Sequence, residues 1–191
     1  RLEWPGDLAP ALEALREAVR SAQAPDVRVV VLAGAGKAFC AGHDLKEMRA
    51  NRTLDFQRRL FALCSEVMLS LIRLPVPVIA RVHGIATAAG CQLVGMCDLA
   101  VASSEARFAV SGINVGLFCS TPSVALSRNM GRKEAFEMLV TGEFIDAEEA
   151  CRRGLVNRVV DPASLDEEVE RLAAAIKAKS PVAVRLGKEL F

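Results

Sequence analysis

The segment 75–110, PVPVIARVHGIATAAGCQLVGMCDLAVASSEARFAV, decides how this chain is read. It runs as a buried strand, a small-residue turn, a short apolar helix and two more strands. The turn is Thr87-Ala88-Ala89-Gly90. Small residues let a ligand or a second backbone come close, and Gly90 adds conformational freedom. A helix that starts at such a turn aims free N–H groups and the positive end of its dipole at whatever binds. The segment therefore reads as an anion-stabilising corner, with the rest of the chain as its support.

Upstream, residues 7–23 place Leu8, Leu12, Leu15, Ala18 and Val19 at helical spacing, with Asp7 as the expected cap and Pro25 just past the end. Residues 27–32 (VRVVVL) are β-branched and almost continuously apolar, the pattern of a strand covered on both faces. Gly34-Ala35-Gly36 ends it. Residues 37–48 (KAFCAGHDLKEM) then read as a loop running into a helix. Small residues beside a His43-Asp44 pair are unusual in a plain connector, and loops often carry function. Residues 54–74 form a long amphipathic helix stopped by Pro75.

Downstream, residues 99–103 and 107–110 read as strands and 111–122 (SGINVGLFCSTP) as a glycine-containing loop. Short helices are expected at 123–130, 133–141 and 146–153. The last has Asp146 as cap and Glu149 at capping-box spacing. A strand at 155–160, an amphipathic helix at 164–179 and a helix opened by Pro181 complete the chain. Strands alternating with helices imply an α/β layering.

Composition narrows the function classes. The 191 residues point to one domain with a helical extension, large enough to bury roughly 70% of the unfolded surface. Charged residues make up 25% and the formal net charge is +1, which argues against a nucleic-acid partner. With no Tyr and one Trp, a stacking platform for bases is not expected. The six cysteines form no C-x-x-C pair and mostly sit in apolar runs, as free thiols do in a reducing compartment. No apolar run reaches membrane-spanning length and no leader pattern opens the sequence. The expectation is a soluble protein without a membrane partner, cytoplasmic, or of the mitochondrial matrix if a leader precedes this sequence. His43 and His83 lack any standard zinc spacing, so no metal is expected. No nucleotide-binding glycine motif occurs. Ser120, Ser123 and Ser127 stand outside any nucleophile-elbow pattern.

Two long stretches carry a resemblance. Residues 37–48 and residues 77–102 (PVIARVHGIATAAGCQLVGMCDLAVA) resemble the two signature segments of the enoyl-CoA hydratase/isomerase (crotonase) family, in the same order and separation. Residues 141–150 (TGEFIDAEEA) and 154–157 (GLVN) agree with it, so the likeness covers nearly the whole chain. It implies a crotonase-like spiral of ββα units over residues 1–180, with residues 181–191 opening a C-terminal helical region. It also implies an acyl-CoA substrate whose CoA is part of the substrate, no further cofactor, and a homotrimer or dimer of trimers. Two backbone N–H groups would hold the thioester oxygen, and they map onto Ala41 and Ala89. Cys40, Ala41, Gly42, His43, Asp44, Ala88, Ala89 and Gly90 would line the substrate site. Members commonly have glycine where this chain has Ala88 and Ala89, so the added methyls narrow the pocket.

The departures bear on chemistry. The two glutamates that handle water and proton in the family's hydratases map onto Gln92 and Gly112. A glutamine amide orients water but does not exchange a proton near neutral pH. Each general acid–base group is worth roughly 10²–10⁴ in rate, so standard hydration of 2-enoyl-CoA is expected to be weak or absent, and restoring both glutamates should raise it. His43 is the candidate substitute acid–base group, with Asp44 as its orienting partner or, alternatively, as a cap for loop N–H groups. Cys119 and Ser120 are candidate nucleophiles without an evident base. Ser111 and Asn114 are candidate substrate contacts. Asp98 is expected to be a buried, hydrogen-bonded carboxylate. Lys46, Arg49 and Lys188 are candidate phosphate contacts, or solvated charges. Three functions follow: an acyl-CoA enzyme with a non-standard acid–base set, a residual hydratase using Gln92 and water, or a non-catalytic acyl-CoA binder.

Overall fold

The computed structural model describes residues 8–191. Asp7, the expected cap of the first helix, lies outside them. That helix, α1 (Leu8–Ser21), buries Leu12, Leu15 and Val19. The strands sort into two four-stranded sheets. β1 (Val30–Ala33), β3 (Val78–Val82), β5 (Leu99–Ser103) and β8 (Arg158–Val160) form the first, in the order β1-β3-β5-β8 and entirely parallel. β2 (Ala38–Cys40), β4 (Ile85–Thr87), β6 (Arg107–Ala109) and β7 (Ile145–Asp146) form the second, parallel except for the antiparallel β6–β7 pair. From β1 to β6 successive strands therefore go to different sheets, and a helical segment returns the chain to start the next pair. The repeats are β1-β2 with α2 (Leu45–Ala50) and α3 (Leu54–Arg73), then β3-β4 with α4 (Ala89–Met96). β5-β6 follow with α5 (Ser120–Asn129) and α6 (Arg132–Thr141). The order inverts at the end, where β7 precedes α7 (Ala147–Arg152) and β8. This is the expected spiral of ββα units.

The apolar strand runs are explained by burial on two sides. Val78, Ala80 and Val82 of β3 face the main core with α1 and α3, while Ile79 and its neighbour Val101 pack on Leu165, Val169 and Ala173 of α8 (Leu165–Lys177). β1 departs from the expectation: it starts at Val30 rather than Val27, and Val31 is exposed. It is an edge strand, with β3 as its only ladder partner among the described residues.

Local signals set the helix ends. Asp44 caps α2, Thr53 caps α3 and Asp146 caps α7, each carboxylate or hydroxyl accepting from a first-turn N–H. Glu149 does not complete a capping box. Its carboxylate takes hydrogen bonds from Arg152 and Arg153 at 2.5–2.6 Å, which hold its pKa down to about 2. The last helix, α9 (Pro181–Leu190), is pinned by Lys188. The Lys188 ammonium donates to the carbonyls of Leu71 and Val76 at 3.0 and 2.9 Å and to Asp98 at 2.6 Å. Lys188 is thus neither a free phosphate contact nor a solvated charge. Asp98 also accepts from Val78 N–H at 2.7 Å, so it is the hydrogen-bonded carboxylate expected, but it is exposed rather than buried because it sits just past the end of α4 facing the Lys188 ammonium.

Candidate functional site

The two signature segments meet at two bends. In the first, β2 ends at Cys40 and the chain turns through Ala41-Gly42, with Gly42 at φ +86°. In the second, β4 ends at Thr87 and α4 starts at Ala89. The bends touch. A Cβ on Gly42 would lie 3.0 Å from Ala88 Cβ and 3.3 Å from the Ala89 nitrogen, and a Cβ on Gly90 would collide with the Cys40 carbonyl. Glycine at 42 and 90 is what allows this approach.

Between the bends Ala88 adopts φ +51°, ψ −119°, the one positive-φ non-glycine among the described residues. Such backbone costs on the order of 1–3 kcal/mol and persists only when its surroundings impose it. Here Ala88 N–H donates to the Ala109 carbonyl at 3.0 Å, and the Ala88 carbonyl accepts from Gln92 N–H at 3.0 Å. No side chain caps α4, and no acidic residue sits in its first turn. Its leading N–H groups therefore have no side-chain acceptor.

Ala41, His43, Ala88, Ala89 and Gln92 line one cavity of about 370 Å³. Cys40, Gly42, Asp44 and Gly90 do not line it. Cys40 and Gly42 sit behind it with Cys64, where burial pushes the Cys40 thiol pKa up. Gly90 is buried against Cys40, and Asp44 turns away as the α2 cap, accepting from Lys46 N–H at 2.7 Å and Glu47 N–H at 3.3 Å. Of the two roles considered for Asp44, capping is the one it fills, and nothing orients His43 through it. The His43 ring instead meets Phe61 edge-on, centroids 5.2 Å apart. Its Nδ1 is buried without a hydrogen-bond partner, and burial lowers its pKa, so the ring is neutral at physiological pH.

Ser111 also lines the cavity, its hydroxyl 3.0 Å from that of Thr87. Asn114 does not; it reaches the Gly142 carbonyl at 3.4 Å. Gly112 is more than a missing carboxylate. A Cβ there would lie 2.7 Å from both the Leu117 carbonyl oxygen and Cys119 Sγ. Position 112 has no room for glutamate while residues 117–119 keep this path, so the expectation that restoring both glutamates would simply revive hydration needs correcting. Residue spacing missed the apolar wall: Met48, Phe61, Val115, Leu117 and Phe118 line the cavity. Its one sequence signal was a run of large apolar residues inside a glycine-containing loop. A larger hollow of about 690 Å³ on the α5–α6 face is lined by Thr141 but by no residue of segments 37–48 and 77–102.

Residues 7–191 match the family model described as Enoyl-CoA hydratase/isomerase. The rat enoyl-CoA hydratase domain-containing protein 3, mitochondrial, is 49% identical over 94% of this chain and 60% of its own length. The human protein of that name is 49% identical over 91% of this chain and 57% of its own length. The chain thus spans about 60% of the curated relatives it matches. A crystal structure of an enoyl-CoA hydratase from Mycobacterium smegmatis superimposes with a TM-score of 0.93 at 63% identity, covering 100% of this chain and 72% of that one. The human domain-containing protein 3 structure gives a TM-score of 0.91 at 48% identity, over 96% of this chain and 72% of that one. Both bends fall within the matched residues, and on that combined ground the chain belongs to the enoyl-CoA hydratase/isomerase, or crotonase, family.

Proposed function

We propose that this protein binds acyl-CoA thioesters and stabilises negative charge on the thioester oxygen with the backbone N–H groups of Ala41 and Ala89. The observation that carries the reading is the contact of the two bends at the mouth of a single cavity, with both alanines on its wall. One such donor is typically worth 10²–10³ in the rate of an oxyanion-forming reaction. The acyl group would lie against Phe61, Leu117 and Phe118, and no cofactor beyond the CoA of the substrate is needed. Gln92 and the filled space over Gly112 disfavour two-glutamate hydration. Enolate chemistry with another proton carrier is the better-supported activity, and the presence of neutral His43 on the cavity wall supports it as that carrier. A non-catalytic binder is the second reading, favoured by the absence of any carboxylate on the cavity wall. A homotrimer or dimer of trimers is the assembly the family resemblance suggests, and the word mitochondrial in the relatives' names favours a mitochondrial over a cytoplasmic location.

The test is titration with butyryl-CoA by calorimetry, alongside assays of crotonyl-CoA hydration, thioester hydrolysis and double-bond migration. Ala41→Pro, which deletes one donor, serves as the control, with folding checked by circular dichroism. Binding weakened in Ala41→Pro supports the reading. No binding of butyryl-CoA by the folded protein defeats it. Turnover in any of the three assays separates enzyme from binder.

A further inference from the structure

Cys119 stands at the start of α5, half-buried, on the same cavity wall as Ala89, Gln92 and His43. Its sulfur occupies the space in which a side chain at position 112 would begin, 2.7 Å from where that Cβ would be. A thiol whose pKa burial pushes up thus stands on that side of the pocket, so its proton must leave as the sulfur reacts. A second, independent feature calls for a ligand in the same cavity. Gln92 is only 6% exposed, and its amide oxygen is buried without a hydrogen-bond partner. Buried polar atoms are rarely left unpaired, and a polar ligand atom in this cavity would satisfy it.

From these positions we propose that Cys119 is a covalent acceptor site for α,β-unsaturated acyl thioesters. The inference rests on the acyl-CoA reading above. With the thioester oxygen held by the two amides, the electron-poor C3 of a 2-enoyl group meets the wall that carries Cys119. The Sγ–C3 bond forms as the C2=C3 π pair moves onto C2 and the thioester oxygen. The thiol proton, carried by solvent or the neutral His43 ring, ends on C2. The net change is addition of S–H across the double bond, with no oxidant, no reductant and no leaving group. A saturated acyl-CoA has no such double bond and binds only reversibly.

Intact-mass spectrometry after incubation with crotonyl-CoA tests this, with peptide mapping, Cys119→Ser and Cys119→Ala variants, and excess butyryl-CoA as competitor. The expected result is a gain of one crotonyl-CoA mass on Cys119, suppressed by butyryl-CoA and lost in both variants, whose folding is checked by circular dichroism. If the protein binds butyryl-CoA but gains no mass, the covalent site is overturned and the acyl-CoA reading stands. If adducts spread over several cysteines and butyryl-CoA does not suppress them, the site is overturned as unselective alkylation. If neither thioester binds, both inferences fall.

Discussion

A carboxamide at position 92 can hold a water but cannot take its proton near neutral pH. Gln92→Glu is therefore expected to raise crotonyl-CoA hydration, read as loss of enoyl-thioester absorbance, by up to about 10²-fold, since a lone member of an acid–base pair recovers only part of the pair's effect. Adding Gly112→Glu should give no further gain and should cost about 2 kcal/mol in a denaturant melt, because the new side chain must displace the Leu117 carbonyl and Cys119 Sγ, each 2.7 Å from its Cβ. A further rise in rate in the double variant would show that residues 117–119 yield easily. His43 makes a pH prediction. Burial lowers its pKa from the ordinary 6.5, so the unfolded chain takes up a proton that the folded site refuses. Above that value the ring is neutral in both states and has no effect. As pH falls below 6.5 stability declines, until the folded-state pKa is passed. His43→Gln should flatten this part of the stability–pH curve, measured by urea unfolding between pH 7 and pH 5.

Among elements, the junction of β2 with α4 sets the site. Gly90→Ala drives a methyl into the Cys40 carbonyl, backbone that cannot rotate away. The expected cost is at least about 3 kcal/mol, with acyl-CoA binding lost even where the chain still folds. Ala88→Gly acts in the opposite sense. It removes the strain of φ +51° at the cost of unfolded-chain entropy, for a net gain of about 1 kcal/mol. It also opens the cavity beside Gln92, so a bulkier acyl-CoA should bind relatively better. Thermal melts and calorimetry with short and branched acyl-CoAs check both variants.

For the molecule as a whole, the ββα spiral leaves α9 joined to the core by few side chains, and Lys188 is the strongest of them. Its side chain is 10% exposed and pairs with Asp98 while bonding the carbonyls of Leu71 in the last turn of α3 and of Val76 between α3 and β3. Lys188→Met keeps the aliphatic packing and leaves Asp98 with only the Val78 N–H. A loss of about 2–3 kcal/mol in urea is expected, with faster amide exchange in α9 than elsewhere. If stability is unchanged, α9 is held by packing alone.

Much of this molecule could be read directly from its residues. Apolar spacing located α1, α3, α8 and the central strands within a few positions, because periodic burial leaves a local trace. The wording of residues 37–48 and 77–102 marked both bends. The short strands β2, β4 and β7 escaped notice, since two or three residues are too few to show a period of two. The tertiary structure alone decided which small residues touch across the bends, that Asp44 caps rather than orients, that Lys188 is an anchor, and that Cys119 fills the space over Gly112. Each of these depends on segments brought together by the winding of the spiral, or on a loop path set by its neighbours. Composition and spacing along the chain record burial; they do not record which distant atom supplies it.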